Sequence, residues 1–262
     1  MSNPTQILLD IPEIELPPTQ DQLPCDDGIP METARHKLQM DLLIEPLSHA
    51  LQDQDIYIGG NMFVYYSLAQ VRNQDFRGPD VFIVLDVPRK ERKSWVIWEE
   101  GKGPDIVIEL LSESTAQRDK NEKKLIYQNQ MRVTEYFWYD PFNPQDWQGF
   151  RLDGGDYQPL ELDTKGQLES QKLGLKLVRW SGIFYNINTV WLRWATLEGE
   201  LLPNSQEREK TAQENAETER QRAETERQRA ETERQRADKA EQKANRLVEL
   251  LRAAGIDPDQ IE

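Results

Sequence analysis

Two acids stand out in this sequence because packing alone explains them poorly, and a lysine follows them that could serve the same site. Asp80 follows Pro79 at the opening of the apolar run Val81-Phe82-Ile83-Val84-Leu85, and Glu109 interrupts a second run, Ile106-Val107-Ile108-Glu109-Leu110-Leu111. A carboxylate inside an apolar strand is costly unless something positive or hydrogen-bonding meets it. Lys123, in the basic segment that follows, is one such partner, and a divalent cation is another. Two carboxylates on adjacent strands can hold Mg²⁺, or Mn²⁺, with waters and a phosphate oxygen completing the coordination. The ion would polarise a phosphate and acidify a bound water, and the lysine would orient that water or offset charge developing on phosphorus. Metal-assisted phosphodiester hydrolysis is the chemistry these residues could do together, with Asp80 and Glu109 as ligands and Lys123 as helper.

Several neighbours have both a supporting and a purely structural reading. Asp105 shares a strand face with Glu109 by the period of two and is a lesser candidate ligand. Asp119, Lys123 and Tyr127 recur every four residues along one helical stripe, in which Asp119 and Lys123 are also an ordinary acid-before-base pair. Lys120 and Lys124 compete with Lys123 for its role. Glu32 and His36 lie one turn apart near the start of an earlier helix, either as a charged first turn or with Glu32 as a supporting ligand. The basic run Arg89-Lys90-Glu91-Arg92-Lys93 precedes Trp95 and Trp98 and could contact a nucleic-acid backbone and its bases. A solvated hairpin with its tryptophans partly in the core is the favoured reading there.

The elements that must position these residues follow from periodicity. Leu38, Leu42, Leu43, Leu47 and Leu51 recur at helical spacing, with Pro46 as a potential kink. Residues 55–68 read as a strand broken at Gly59-Gly60-Asn61. The Val81–Leu85 run, apolar on both faces, predicts a central, doubly covered strand. Ser112, Ser114 or Thr115 can cap the helix bearing Lys123, and Thr134–Tyr139 gives the next strand, ending at Asp140-Pro141. Strand, helix, strand predicts a right-handed crossover, hence an α/β fold. Asp153-Gly154-Gly155-Asp156 between strand-like runs predicts an antiparallel hairpin. Residues 173–180 and 190–196 read as peripheral strands or short connections.

The chain has 32 Lys and Arg against 47 Asp and Glu, a net charge of −15. Residues 1–204 carry 20 basic and 32 acidic side chains of these totals, so the globular part is strongly acidic. This counts against a generic nucleic-acid coat, which draws on a basic surface, but a local basic groove can coexist with an acidic exterior. A single cysteine, Cys25, excludes an intrachain disulfide and a cysteine-based zinc cluster and fits a reducing, cytoplasmic compartment. No signal-peptide pattern or membrane-spanning apolar run is present, so no membrane is expected.

The expected organisation is an extended or disordered arm at 1–30, a folded α/β domain at 31–203, a charged helix or weak coiled coil at 204–254 and a short tail at 255–262. The unit Ala-Glu-Thr-Glu-Arg-Gln-Arg begins at Ala216, Ala223 and Ala230, a seven-residue repeat. With Ala at position a, position d is Glu219, Glu226 and Glu233, so the seam is small and charged where a coiled coil wants bulk. Such a helix would rely on its own charge pairs and associate weakly, with a homo-oligomer or helical partner engaged best near Leu247, Leu250 and Leu251.

At Pro79-Asp80, Asp105-Ile-Val-Ile-Glu109-Leu-Leu-Ser112-Glu-Ser-Thr115, Asp119-x3-Lys123-x3-Tyr127 and Val133-Thr-Glu135-Tyr136, the chain resembles the PD-(D/E)xK nuclease superfamily. More narrowly it resembles the Uma-two family of candidate restriction endonucleases, over roughly 31–203. The resemblance implies a restriction-endonuclease-like core, a central mixed β-sheet flanked by helices, followed here by the long C-terminal helix. It implies DNA as substrate and a hydrolytic, metal-dependent endodeoxyribonuclease activity. The superfamily's Glu-x-Lys would put lysine at position 111, where this chain has Leu111. The family's displaced lysine lies on the following helix, which points to Lys123 over Lys120 and Lys124. Two other readings remain: an inactive nuclease-like domain serving recognition, and a coiled-coil interaction protein whose main function is the tail.

Overall fold

A computed structural model describes residues 16–25, 33–73 and 78–255, divided into two compact units that meet between Asn204 and Ser205. The first unit is built on a six-stranded mixed sheet ordered β1-β3-β5-β6-β7-β8. Its strands are β1 (Ile56–Gly60), β3 (Val81–Leu85), β5 (Ile106–Leu110), β6 (Glu135–Tyr139), β7 (Trp147–Asp153) and β8 (Asp156–Pro159). β5 and β6 run parallel, with Glu109 opposite Trp138, and every other pairing in this sheet is antiparallel. The parallel pair requires a crossover, and the helical run 116–131 provides it.

Alternation along β5 sorts its residues onto two cores. Ile106, Ile108 and Leu110 pack with Leu43 and Leu47 of α1 (Ala34–Ala50) on one side, while Val107 packs with Val84, Tyr127 and Tyr136 on the other. Both faces of β3 and β5 are therefore dry, as their uniform apolar composition predicts. α1 opens on Thr33, whose hydroxyl accepts from the His36 amide, and runs unbroken through a buried Pro46. α1 continues through Pro46 as one helix, so the split that this proline could have caused does not occur.

Between β1 and β3 lie β2 (Val64–Tyr65) and α2 (Leu68–Asn73); β4 (Trp95–Val96) and α3 (Ile97–Glu100) follow β3. β2 and β4 form a separate parallel pair, so the basic segment 89–103 is not the expected hairpin. Its cations are used internally. Arg92 is buried against Glu100 and stacked near Tyr57 and Trp95, and Arg89 donates to the Leu51 carbonyl. Trp95 is core, and Trp98 donates its indole N–H to the Pro18 carbonyl. The described part of the N-terminal arm lies on this region through that bond, Leu23 and the Tyr65–Pro24 hydrogen bond.

A second sheet, ordered β11-β10-β9, comprises β9 (Leu168–Ser170), β10 (Leu175–Phe184) and β11 (Ile187–Ala195). β10 and β11 are not peripheral: Leu177, Leu192 and Trp194 enter the main core, and Trp191 packs on Leu42 of α1. Gln39 clamps α1 to β11 by exchanging two hydrogen bonds with the backbone of Leu192.

The second unit is α6 (Ser205–Ala253), 49 residues with none buried. At 1.5 Å per residue it is about 74 Å long. Rungs of Gln to Glu four residues back run along it, at 213/209 ahead of the repeat and at 221/217, 228/224 and 235/231 within it, with threonine hydroxyls donating to carbonyls one turn earlier. Ion pairs Lys210–Glu214 and Arg222–Glu219 add to them. Among the described residues no helix is long and apolar enough to cross a membrane.

Candidate active site

The site lies at the C-terminal end of β5, where β3, running antiparallel, begins. Asp80 immediately precedes β3 and accepts from the Leu110 amide at 2.7 Å, which ties the start of one strand to the end of the other. Glu109 is wholly buried on the face of β5 turned toward the crossover helix. That helix is segmented: α4 (Ala116–Arg118), a π turn at Asp119–Lys123, α5 (Lys124–Ile126) and a second π turn at Tyr127–Met131, closed by Arg132 at φ 57°. Wider turns re-aim side chains that a regular helix would spread differently, and π turns often mark functional sites.

From this helix Lys123 reaches Glu109 Oε2 at 3.1 Å and Asp119 Oδ1 at 2.8 Å. The Tyr127 hydroxyl donates to Glu109 Oε1, and the Tyr136 hydroxyl donates to the Asp119 carbonyl at 2.9 Å. Asp80, Glu109, Asp119, Lys123 and Tyr127 thus form one cluster. Lys120 instead pairs with Asp146, and Lys124 stacks on Phe150 at 3.5 Å. Leu111 fills the Glu-x-Lys position and is buried.

Three carboxyl groups face a single cation. Burial raises the Glu109 pKa to about 7; Lys123 and Tyr127 oppose the shift and Asp80 reinforces it. Burial likewise raises Asp80 against the pull of Lys123 and the Leu110 amide, and raises Asp119, with Glu109 adding to the shift. Asp80 and Glu109 lie near enough that each alters the other's ionisation, Asp80 pushing Glu109 further up. Burial by itself would lower Lys123, but Glu109, Asp119 and Asp80 outweigh it and hold the ammonium above its ordinary range. Tyr127 and Tyr136 are pushed well above theirs by burial, so both remain donors.

The other candidates lie elsewhere. Asp105 is at the far end of β5, about 13 Å from Glu109 along the strand. There it accepts from the Leu85 amide at 2.8 Å and pairs with Lys102 at 2.9 Å. Beside it, buried Glu135 is satisfied by Arg151, Ser170 and the Gln171 amide. This end is a closed structural network. Glu32 lies outside the described residues. His36 is buried between the Thr33 hydroxyl and the Leu111 carbonyl, 3.0 Å from the latter, so it braces the end of β5. The Thr-x-x-His spacing is its only trace in the sequence; the contact with residue 111 has none.

The fold and site together define an α/β domain with an acid-rich, lysine-braced cluster at the strand ends of a mixed sheet. The family model described as "Putative restriction endonuclease", Uma2, matches residues 16–181, and the chain belongs to that family. No curated protein matches it. Among solved structures it is similar to a "putative nuclease belonging to DUF820" from Anabaena variabilis ATCC 29413, at 15% identity, covering 60% of this chain and 90% of that one, with a TM-score of 0.42.

Proposed function

We propose that this chain is a divalent-metal-dependent endonuclease that hydrolyses DNA phosphodiester bonds at the Asp80–Glu109–Lys123 cluster. One observation carries the reading: Glu109 is buried within a strand 3.1 Å from Lys123, and Asp80 is held at the end of that same strand by the Leu110 amide. Family membership supports the nuclease class.

The donor chemistry fits Mg²⁺ or Mn²⁺. Among the described residues no group of three or more His, Cys, Asp or Glu side chains is placed to hold an ion. Mg²⁺ is commonly held by one or two carboxylates plus waters and substrate phosphate. Asp80 and Glu109 would supply the carboxylates, and a bound cation would offset the cost of ionising them in a buried site. When bound, the ion supplies charge against a phosphate oxygen and acidifies a water.

The protein's own groups do the rest. Tyr127 fixes the Glu109 carboxylate, and Asp119 holds Lys123 beside it. Lys123, cationic at neutral pH, serves as an electrostatic partner for the negative charge on phosphorus rather than as a base. Water attacks phosphorus, the bridging P–O bond breaks, and the proton the water gives up passes through solvent to the leaving oxygen.

A non-catalytic reading is favoured by one feature, Lys123 already being satisfied by two acids of the same chain. Calorimetric titration with Mn²⁺ separates the two readings. The nuclease reading expects saturable binding in wild type that Asp80→Ala removes; no heat at millimolar metal would support the inert domain.

A further inference from the structure

We infer that the groove between the start of α1 and the loops after β5 and β6 holds a nucleobase of the substrate strand, stacked on Phe142. The inference rests on the proposed nuclease function and adds a subsite to it. The groove has a volume of about 580 Å³ and is lined by Thr33, His36, Ser112, Glu113, Asp140 and Phe142, among others. That volume is within the range of small-molecule sites.

Its position is tied to the cluster. Ser112 lies three residues beyond Glu109, about 10 Å along an extended chain, and His36 bonds the carbonyl of the intervening Leu111. A strand whose phosphate sits at Asp80 and Glu109 would present a neighbouring nucleotide here.

The chemistry of the lining selects a base over a phosphate. Phe142 is 54% exposed and belongs to none of the hydrophobic cores. The Arg35 guanidinium lies 4.3 Å from its ring centroid, and the His36 ring is 5.6 Å away. The loop is held rigidly: Asp140 Oδ1 accepts from the amides of Phe142 and Asn143, and the Asp140 amide donates to the Asp146 carbonyl. A pre-set exposed ring loses little entropy on stacking. Glu113 and Asp140 would repel a phosphate but can accept from the exocyclic amines of a base. A base paired within a duplex cannot reach such a platform, so the strand must be single or locally opened.

The test measures binding of the full-length chain, with Ca²⁺ in place of Mg²⁺, to a short single-stranded oligodeoxynucleotide carrying 2-aminopurine. Wild type should bind and quench the probe. Phe142→Ala should weaken binding about 5- to 100-fold, the range of one base–aromatic stack, and lose the quench; Phe142→Trp should restore both. Arg35→Ala, which leaves the core intact, should shift both in the same direction as Phe142→Ala. Wild-type binding that neither Phe142→Ala nor Arg35→Ala changes by more than about twofold would overturn the subsite and leave the nuclease reading standing. No binding by wild type would overturn the subsite, and the nuclease reading would fall with it only if duplex plasmid were also left uncut in Mg²⁺.

Discussion

At the scale of residues, the cluster is arranged for charge at the expense of stability. Glu109 has a folded pKa of about 7 against an ordinary 4.5, so between these values the folded chain retains a proton that the unfolded chain has lost. Metal-free stability should therefore fall as pH rises from about 4.5 to 7 and level off above. Glu109→Gln should flatten that slope and, at pH 8 without metal, stabilise the protein by about 1–3 kcal/mol, read by urea unfolding. Mg²⁺ should raise the stability of wild type but not of this variant. Lys123→Met has the opposite sign: it strands Asp119 and Glu109 without their cation and should cost about 3–5 kcal/mol. Asp80 and Glu109 drew notice because one opens and the other interrupts an apolar strand, whereas Lys123 fits an ordinary helical charge pair and was preferred to Lys120 and Lys124 only through the family resemblance. The fate of Asp105 was not, since a period of two gives the face of a strand but not which end meets a lysine such as Lys102.

At the scale of elements, the site depends on how closely β1 lets β3 approach. Gly60 pairs with Val81, and a Cβ there would lie 2.4 Å from Ile44 Cδ1, 2.9 Å from Met40 Sδ and 3.0 Å from the Asp80 carbonyl. The first two can swing aside, but the third is backbone adjoining a candidate ligand. Gly60→Val should lower stability by about 1–3 kcal/mol by overpacking and lower metal affinity as Asp80 shifts, both measurable by unfolding and calorimetry. The strand sequence, the parallel β5–β6 pair and the Asp153–Asp156 hairpin were readable from apolar runs and a Gly-Gly turn. The β10–β11 hairpin was not, because it turns through Tyr185 and Asn186, both at positive φ, without the glycine that marks such turns. The π turns were also hidden, since spacing by four residues fits a regular helix equally well.

At the scale of the whole molecule, the charged repeat and the sheet-bearing domain are separate compact units, and the change of texture near residue 204 is plain in composition. α6 buries none of its residues and relies on rungs worth about 0.2–0.5 kcal/mol each. A chain ending at Asn204 should keep the unfolding transition of the first unit, while the helix signal lost with α6 should melt broadly. Sedimentation of the full chain at micromolar concentration should show a monomer, because the Ala and Glu seam offers little to bury. A tight dimer that disappears on truncation would instead make the tail an assembly element.

The most direct measurement is cleavage of supercoiled plasmid and single-stranded DNA by full-length wild type and Glu109→Gln, each with Mg²⁺ and with EDTA. Wild type should cut only with metal, and Glu109→Gln should be at least about 10³-fold slower while remaining folded and, at pH 8, more stable than wild type. Cleavage that survives Glu109→Gln, or persists in EDTA, would contradict the assignment of a metal-dependent site to Asp80, Glu109 and Lys123.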